Sequence, residues 1–471
     1  MPKEFFRTIQ AAPFQPGELY LQFRAGSTPE QRQVAHTAAR MVRVEHSFGD
    51  FLPDTVRVAV PPGQEQESIN AYLDDPNVIY AEPVYIHHTL ATVPNDPNWL
   101  DLWGLEKINM KHAWDVTTGS PDFVIGVVDS GLQWTHNDLI GNVWTNPGEI
   151  PNNSIDDDHN GCVDDVHGWH VFRNNGDLQD YLSYHGTHVA GTIGAIGNNS
   201  SNVVGVNWKC KILMVGCSDG SAEGLAYTIE AFAYILTNKF GVRVSNHSYG
   251  SLAQSETEFR CFGKAAEMGH IAVCAAGNDT NNNDGPLRMY PASHACDNII
   301  SVAASDTSDA LSYFSNWGAT NVDLAAPGSA IRSTTSLFSG TDVKQGTSMA
   351  SPHVAGVIGL IWSGFPNLTW QQMRARILSG VTKVEGLSSD VASGGRLDAA
   401  RSMAVFTQPG IGFGNGHFDD PYRNFNTALQ SVPFYGQLYI KVPSSTLSGT
   451  GRIGGPPKRI SPWGGSLRIG P

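Results

Sequence analysis

Four short segments place a reactive or polar side chain at the end of an apolar run or at the start of a helix. IGVVDSG ends a strand on Asp129, HGTHVAG opens a helix on His185, VCAAGN ends a strand on Asn278, and GTSMASPHVAG puts Ser348 at the mouth of a helix that continues through VIGLIW. A serine hydroxyl is a weak nucleophile near neutral pH. It needs a general base within hydrogen-bond reach, and the base needs a carboxylate to fix its tautomer and stabilise the imidazolium. Asp129, His185 and Ser348 offer one of each. The anion formed on carbonyl attack needs preorganised donors, which the Ser348 amide at a helix N-terminus and the Asn278 side-chain amide can supply. Each segment alone has a plainer reading: Asp-Ser-Gly is a common turn, Gly-Thr-Ser a common helix cap, and a single histidine is most often structural. The four together, in this order, point to acyl transfer through Ser348. His188, one helical turn beyond His185, and His353 read as packing residues.

A fifth segment, IDDDHNGCVDDVHGW, has metal-ligand spacing. Asp156, Asp158 and Asn160 stand at the first, third and fifth positions of an EF-hand-like loop, with Gly161 at the sixth and Asp164 at the ninth. Hard oxygen donors at alternating positions wrap a Ca²⁺, and glycine allows the sharp turn. The twelfth position is His167 instead of glutamate, so the loop is not a full EF-hand, and Asp165 is the candidate for the missing carboxylate. The competing reading is a solvated acidic loop.

These residues need a scaffold. From about residue 99 to 403, apolar strands such as FVIGVVD, KILMVG, RVSNHS, IAVCAAG and IISVAA alternate with helical stretches such as AEGLAYTIEAFAYILTN. That pattern predicts an α/β fold, a doubly wound parallel sheet covered on both faces, with functional groups at the carboxyl ends of its strands. Residues 17–85 read differently, as strand-helix-strand-strand-helix-strand, the order of a small α+β ferredoxin-like domain. Its first helix is announced by Thr28 at the cap, Pro29 in the first turn and Gln31 completing a capping box. The chain is therefore expected to comprise this domain at 17–85, a polar Pro-punctuated linker at 86–96, the large domain at 97–405, and a Gly/Pro-rich extension at 406–471. That extension has no Asp or Glu after Asp420, and FYGQLYIKV is its one candidate strand.

Composition narrows the partners. The 471 residues are 41% hydrophobic and 16% charged, an ordinary globular balance, and the formal charge of -14 removes the basic footprint that nucleic-acid binding requires. No stretch approaches the ~18–20 apolar residues of a membrane helix. The first residues, MPKEFFRTIQAAPFQPGELY, have no run long enough for a signal-peptide core. Six cysteines are too sparse for a disulfide scaffold, and Cys210 and Cys217 bracket a strand whose ends lie about 20 Å apart, too far to bridge.

The Asp, His, Asn and Ser segments resemble the motifs of the subtilisin family of serine proteases, in that family's order, over roughly residues 96–403; NDPNWLDLWGLEKINMKHAWD also resembles the start of its mature members. The resemblance implies a serine endopeptidase with nucleophile Ser348, base His185, carboxylate Asp129 and oxyanion amide Asn278. It implies that substrate lies extended between edges at 215–220, including Gly216, and at Ser248, Tyr249 and Gly250, with Ala275, Ala276 and Gly277 lining the P1 pocket. No fixed charge stands at 248–250 or 275–277, so the expectation is broad specificity with large apolar or aromatic P1 residues. A second calcium site is implied at Asp138 and the loop around Asn199. Residues 17–85 resemble the family's propeptide, a folding template and inhibitor, with processing within 86–96. The family also implies a secreted monomer acting on proteins or peptides. An acyl transferase using the same triad, and a non-catalytic scaffold, are the competing readings; an α/β-hydrolase esterase is disfavoured because Ser348 lies in GTSMA and the acid precedes the histidine.

Overall fold

The computed structural model describes residues 3–7, 14–85 and 92–407, apart from 181–182, 219–220, 222–223, 238–239 and 337–339, together with strands at 437–441 and 459–463. Contacts divide the chain into two compact units, Met1–Leu90 and Ala91–Pro471. Most of the expected linker (86–91) and most of the extension lie outside the described residues.

In the first unit, β1 (Phe14–Phe23), α1 (Pro29–Ala38), β2 (Arg43–Ser47), β3 (Thr55–Ala59), α2 (Glu65–Asp74) and β4 (Val78–Tyr85) follow the predicted order. The sheet runs β2-β3-β1-β4 with every pair antiparallel. Alternation along β1 turns Leu19, Leu21 and Phe23 inward, where they pack with Ala35 of α1 and Ile69 and Tyr72 of α2. The α1 capping box forms as read: Thr28 accepts from the Gln31 amide while the Gln31 side chain returns to Thr28.

The second unit opens with two short helices, α3 (Trp103–Lys107) and α4 (Met110–Trp114), then β5 (Gly119–Asp129), β6 (Gly168–His170), α5 (His185–Gly194), β7 (Lys209–Gly216) and α6 (Thr228–Thr237). It continues with β8 (Val244–His247), α7 (Glu256–Glu267), β9 (Ile271–Ala275), β10 (Ile299–Ser305), β11 (Leu324–Pro327), and a hairpin of β12 (Ile331–Thr334) and β13 (Thr341–Lys344). The long helix α8 (Thr347–Gly364), α9 (Trp370–Ser379), β14 (Thr382–Lys383), β15 (Gly395–Arg396) and the short helix α10 (Ala399–Met403) follow. Beyond them β16 (Val405–Thr407), β17 (Gln437–Lys441) and β18 (Arg459–Trp463) pair in parallel, β17 falling in the expected FYGQLYIKV segment.

The main sheet runs β14-β15-β11-β10-β9-β8-β5-β7-β6, parallel except for β14 on β15. The apolar runs have a simple cause. Ile125, Val127, Ile212 and Met214 join one core with Val354, Val357 and Ile358 of α8, whereas Val128, Leu213 and Val215 join another with Phe232 of α6 and Phe262 of α7. A strand covered on both faces must be apolar at every position. Strand β5 lies between β7 and β8, so chain order reverses there, and a crevice opens at the carboxyl end of β5.

Candidate active site

Asp129 is the last residue of β5 and is fully buried. Its Oδ1 accepts from the Ser130 amide and from His185 Nδ1, each at 2.7 Å. With Nδ1 donating to a carboxylate, His185 keeps Nε2 as its free acceptor. His185 is the first residue of α5, and Tyr184 before it takes a left-handed φ of 53° that turns the chain into the helix. Gly186 is required at this join: a Cβ there would lie 2.2 Å from the Gly131 carbonyl oxygen and 3.1 Å from Asp129 Oδ1. Burial resists charge on His185, but the Asp129 carboxylate outweighs it and holds the imidazole pKa above its ordinary value.

A second buried carboxylate, absent from the sequence reading, braces this turn. Asp180 accepts from Ser130 Oγ at 2.9 Å, from Ser183 Oγ at 3.3 Å and from the Tyr184 amide at 3.1 Å, while Ser130 Oγ accepts from the Gly186 amide at 2.9 Å. Burial, and the neighbouring Asp129 charge, push its pKa up. His188 and His353 pack as read. Each is buried against a carbonyl, that of Ile331 or Met349, and burial lowers their pKa values to about 3 and about 4.

Ser348 sits in the first turn of α8, half-buried, with its backbone amide at the positive end of an 18-residue helix. Its hydroxyl donates to the Ser248 carbonyl at 3.0 Å, and no hydrogen bond joins it to His185 among the described residues. Asn278 Oδ1 accepts from the Thr347 amide at 2.8 Å and from its hydroxyl at 3.0 Å. That pair of bonds fixes the amide and leaves Nδ2 as a free donor beside the start of α8. Asp129, His185, Ser348 and Asn278 line one cleft with Ser248, Tyr249, Gly250, Ala275 and Gly277.

Two expected lining residues stand elsewhere. Gly216 is inside the sheet, because the three-residue strand β6 covers β7: the Gly216 carbonyl accepts from the Val171 amide at 2.8 Å, and the wall on that side begins at Ser218. Ala276 is buried beneath the cleft, where its carbonyl accepts from Asn283 and Asn316. Conversely, Met289, Tyr290 and Glu258 enter the cleft from outside the expected segments, and Glu258 brings a charge that 248–250 and 275–277 lack.

The acidic loop also arranges itself differently from an EF-hand. Glu149, Asp158 and Asp165 bring carboxylate oxygens within 4.8 Å of one another. Asn146 and Asn160 donate to both aspartates, and the Tyr234 hydroxyl donates to Asp165. Asp156 instead accepts from the amides of Asn160 and Gly161, Asp164 from those of Asn153 and Ser154, and Asn160 Oδ1 from that of Cys162. Asp156 and Asp164 thus stabilise turns while Asp158 and Asp165, with the unforeseen Glu149, form the cradle. Gly148 keeps it open, since a Cβ there would lie 2.6 Å from Asp158 Cβ. Such an all-oxygen set fits a hard cation. Burial raises the pKa of Glu149 and of Asp165, and neighbouring carboxylates add to the rise. At the second expected site, Asp138 accepts from Asn199 Nδ2 and the Val203 amide; buried Asp96 joins from the start of the unit, accepting from the Asn198 amide at 2.7 Å.

The subtilase family model matches residues 120–395. The chain is 33% identical over 379 residues to a thermophilic serine proteinase of Bacillus sp. (strain AK1), covering 79% of this chain and 83% of that one. It is 34% identical over 313 residues to thermitase of Thermoactinomyces vulgaris, covering 66% and 99%. Among solved structures, a protease of Pseudoalteromonas arctica superposes with a TM-score of 0.53 at 28% identity, over 66% of this chain and 99% of that one.

Proposed function

The chain belongs to the subtilase family of serine proteases, and on that premise we propose that Asp129, His185 and Ser348 are its catalytic triad and Asn278 its oxyanion donor. The observation that carries this reading is the 2.7 Å Asp129–His185 bond in the cleft that also holds Ser348 and Asn278. Ser348 Oγ attacks the peptide carbonyl and passes its proton to His185 Nε2. Asp129 stabilises the resulting imidazolium, and the oxyanion takes hydrogen bonds from the Ser348 amide and Asn278 Nδ2. His185 then gives the proton to the leaving amine, and water resolves the acyl-enzyme by the same route. Ser248–Gly250 pairs with substrate backbone, which gives broad specificity. The walls supplied by Met289 and Tyr290 favour a large apolar stem at P1.

Calcium is the proposed structural ion. It would be held by Glu149, Asp158 and Asp165 at one site and by Asp96, Asp138 and Asn199 at the other, its chemistry confined to neutralising and cross-linking these loops. Residues 17–85 act as the propeptide, processing falls within 86–96, and the enzyme is a secreted monomer, a reading supported by the extracellular proteases among its relatives, such as that of Xanthomonas campestris. The test is Ser348→Ala. That variant loses peptide hydrolysis and remains uncut near 86–96 by intact mass, whereas the unaltered chain is processed and takes a fluorophosphonate label on Ser348. Hydrolysis by the variant at the unaltered rate would refute the assignment.

A further inference from the structure

Glu258 occupies an unusual position for a helix-start glutamate. It is the third residue of α7, whose cap Ser255 accepts from the Glu258 amide at 3.2 Å. A capping box would return the glutamate side chain to the Ser255 amide. Here the side chain turns inward instead, is 11% exposed, and lines the cleft with Gly250, Ala275, Gly277, Met289 and Tyr290.

Its carboxylate is incompletely partnered. Oε2 accepts from His294 Nε2 at 2.7 Å, and among the described residues no hydrogen bond reaches Oε1. His294 is the only basic partner that Glu258 has there. The other imidazole nitrogen, Nδ1, is buried and has no hydrogen-bond partner among the described residues. Oε1 keeps some solvent contact, so it is the carboxylate oxygen open to a donor entering the cleft.

The approach to this carboxylate is apolar and pliant. A Cβ on Gly250 would lie 2.7 Å from Met289 Cγ and Sδ, and one on Gly277 would lie 3.0 Å from Met289 Cε, so the Met289 thioether fills the space between the two backbone walls. An unbranched thioether yields readily to an entering chain. A side chain with an aliphatic stem and a cationic tip matches both features.

We propose that Glu258 is a specificity-determining residue at the floor of the P1 pocket and selects lysine or arginine there over apolar side chains of equal length. This rests on the endopeptidase reading and replaces the broad, apolar P1 preference given above with a basic one. The test uses the full chain and a peptide series identical except for lysine, arginine, norleucine, phenylalanine or glutamate at P1, with active sites counted by fluorophosphonate labelling of Ser348. The expected result is a kcat/KM for lysine at least about tenfold above that for norleucine. That ratio falls in Glu258→Gln by on the order of 10–100-fold, the worth of a charge-assisted hydrogen bond. A ratio unchanged in the variant, or unaltered protein that prefers norleucine, overturns the proposal while leaving the protease intact. If the variant takes no label, the ratio in the unaltered protein decides alone. A chain that neither takes the label nor cleaves any peptide refutes the endopeptidase reading itself.

Discussion

One oxygen of Asp129 does the work of orientation, taking both the Ser130 amide and His185 Nδ1, while Oδ2 is buried and has no partner among the described residues. A carboxylate held this way gains from any positive charge on the imidazole. The sign of the pH response follows. Burial opposes protonation of His185, but Asp129, assisted by Asp180, outweighs it, and Lys344 pulls the other way. The base must be neutral to accept the serine proton, and a raised pKa means that neutrality is reached only at higher pH. The acid limb of kcat/KM should therefore have its midpoint above the ~6.5 of a free imidazole, and Lys344→Gln should move it further up. A pH–rate profile with its midpoint below that reference would show that the carboxylate does not dominate.

The elements that carry these groups were legible where their signals are local, and opaque where they are tertiary. Each of the four motifs lies at a strand end, a few residues beyond one or at a helix start, readable within a short segment, and the order of apolar strands and helices sufficed for a parallel sheet. Glu258 and Asp180 carry no motif; they matter because α7 and the turn before α5 fold against residues far along the chain. Gly216 was misjudged because GWH is too short to read as the strand that covers β7. Close packing is likewise invisible in sequence until the neighbour is known. Helix α5 is fastened to β12 by Ser333 Oγ and Thr334 Oγ1, which donate to the carbonyls of His188 and Thr187 at 2.7 Å each. A Cβ on Gly191 would lie 2.2 Å from that Thr334 oxygen and 2.5 Å from that of Ser333. Gly191→Ala should therefore cost about 1–3 kcal/mol and lower turnover as well, because the displaced helix carries His185. Gly263, in the middle of α7, has nothing within 4 Å of its missing Cβ, so Gly263→Ala should stabilise by roughly 0.5–1 kcal/mol. Urea unfolding of both variants in a Ser348→Ala background checks the opposite signs.

At the scale of the whole molecule, a chain with a formal charge of -14 gathers buried carboxylates at two places that tie distant segments together. Asp96 binds the start of the second unit to residues 198–199, just beyond the helix that carries His185. Asp165 joins the acidic loop to Tyr234 of α6. Burial first, and then mutual repulsion, raises the pKa of Asp96, Glu149 and Asp165, so ionised side chains here work against the fold unless a cation offsets them. A divalent ion bound only by the folded chain stabilises it by RT ln(1 + [L]/Kd), about 2.7 kcal/mol at a hundredfold excess over Kd. Calcium removal should therefore loosen both loops before it changes the chemistry, because none of the proposed ligands belongs to the triad. Ser348→Ala protein, which cannot digest itself, should melt at a lower temperature in chelator than in calcium. Glu149→Gln with Asp165→Asn, and separately Asp96→Asn, should each remove part of that difference. Identical melting curves in calcium and in chelator, with no calcium found by elemental analysis, would return both loops to the reading of acidic surface that their composition alone allows.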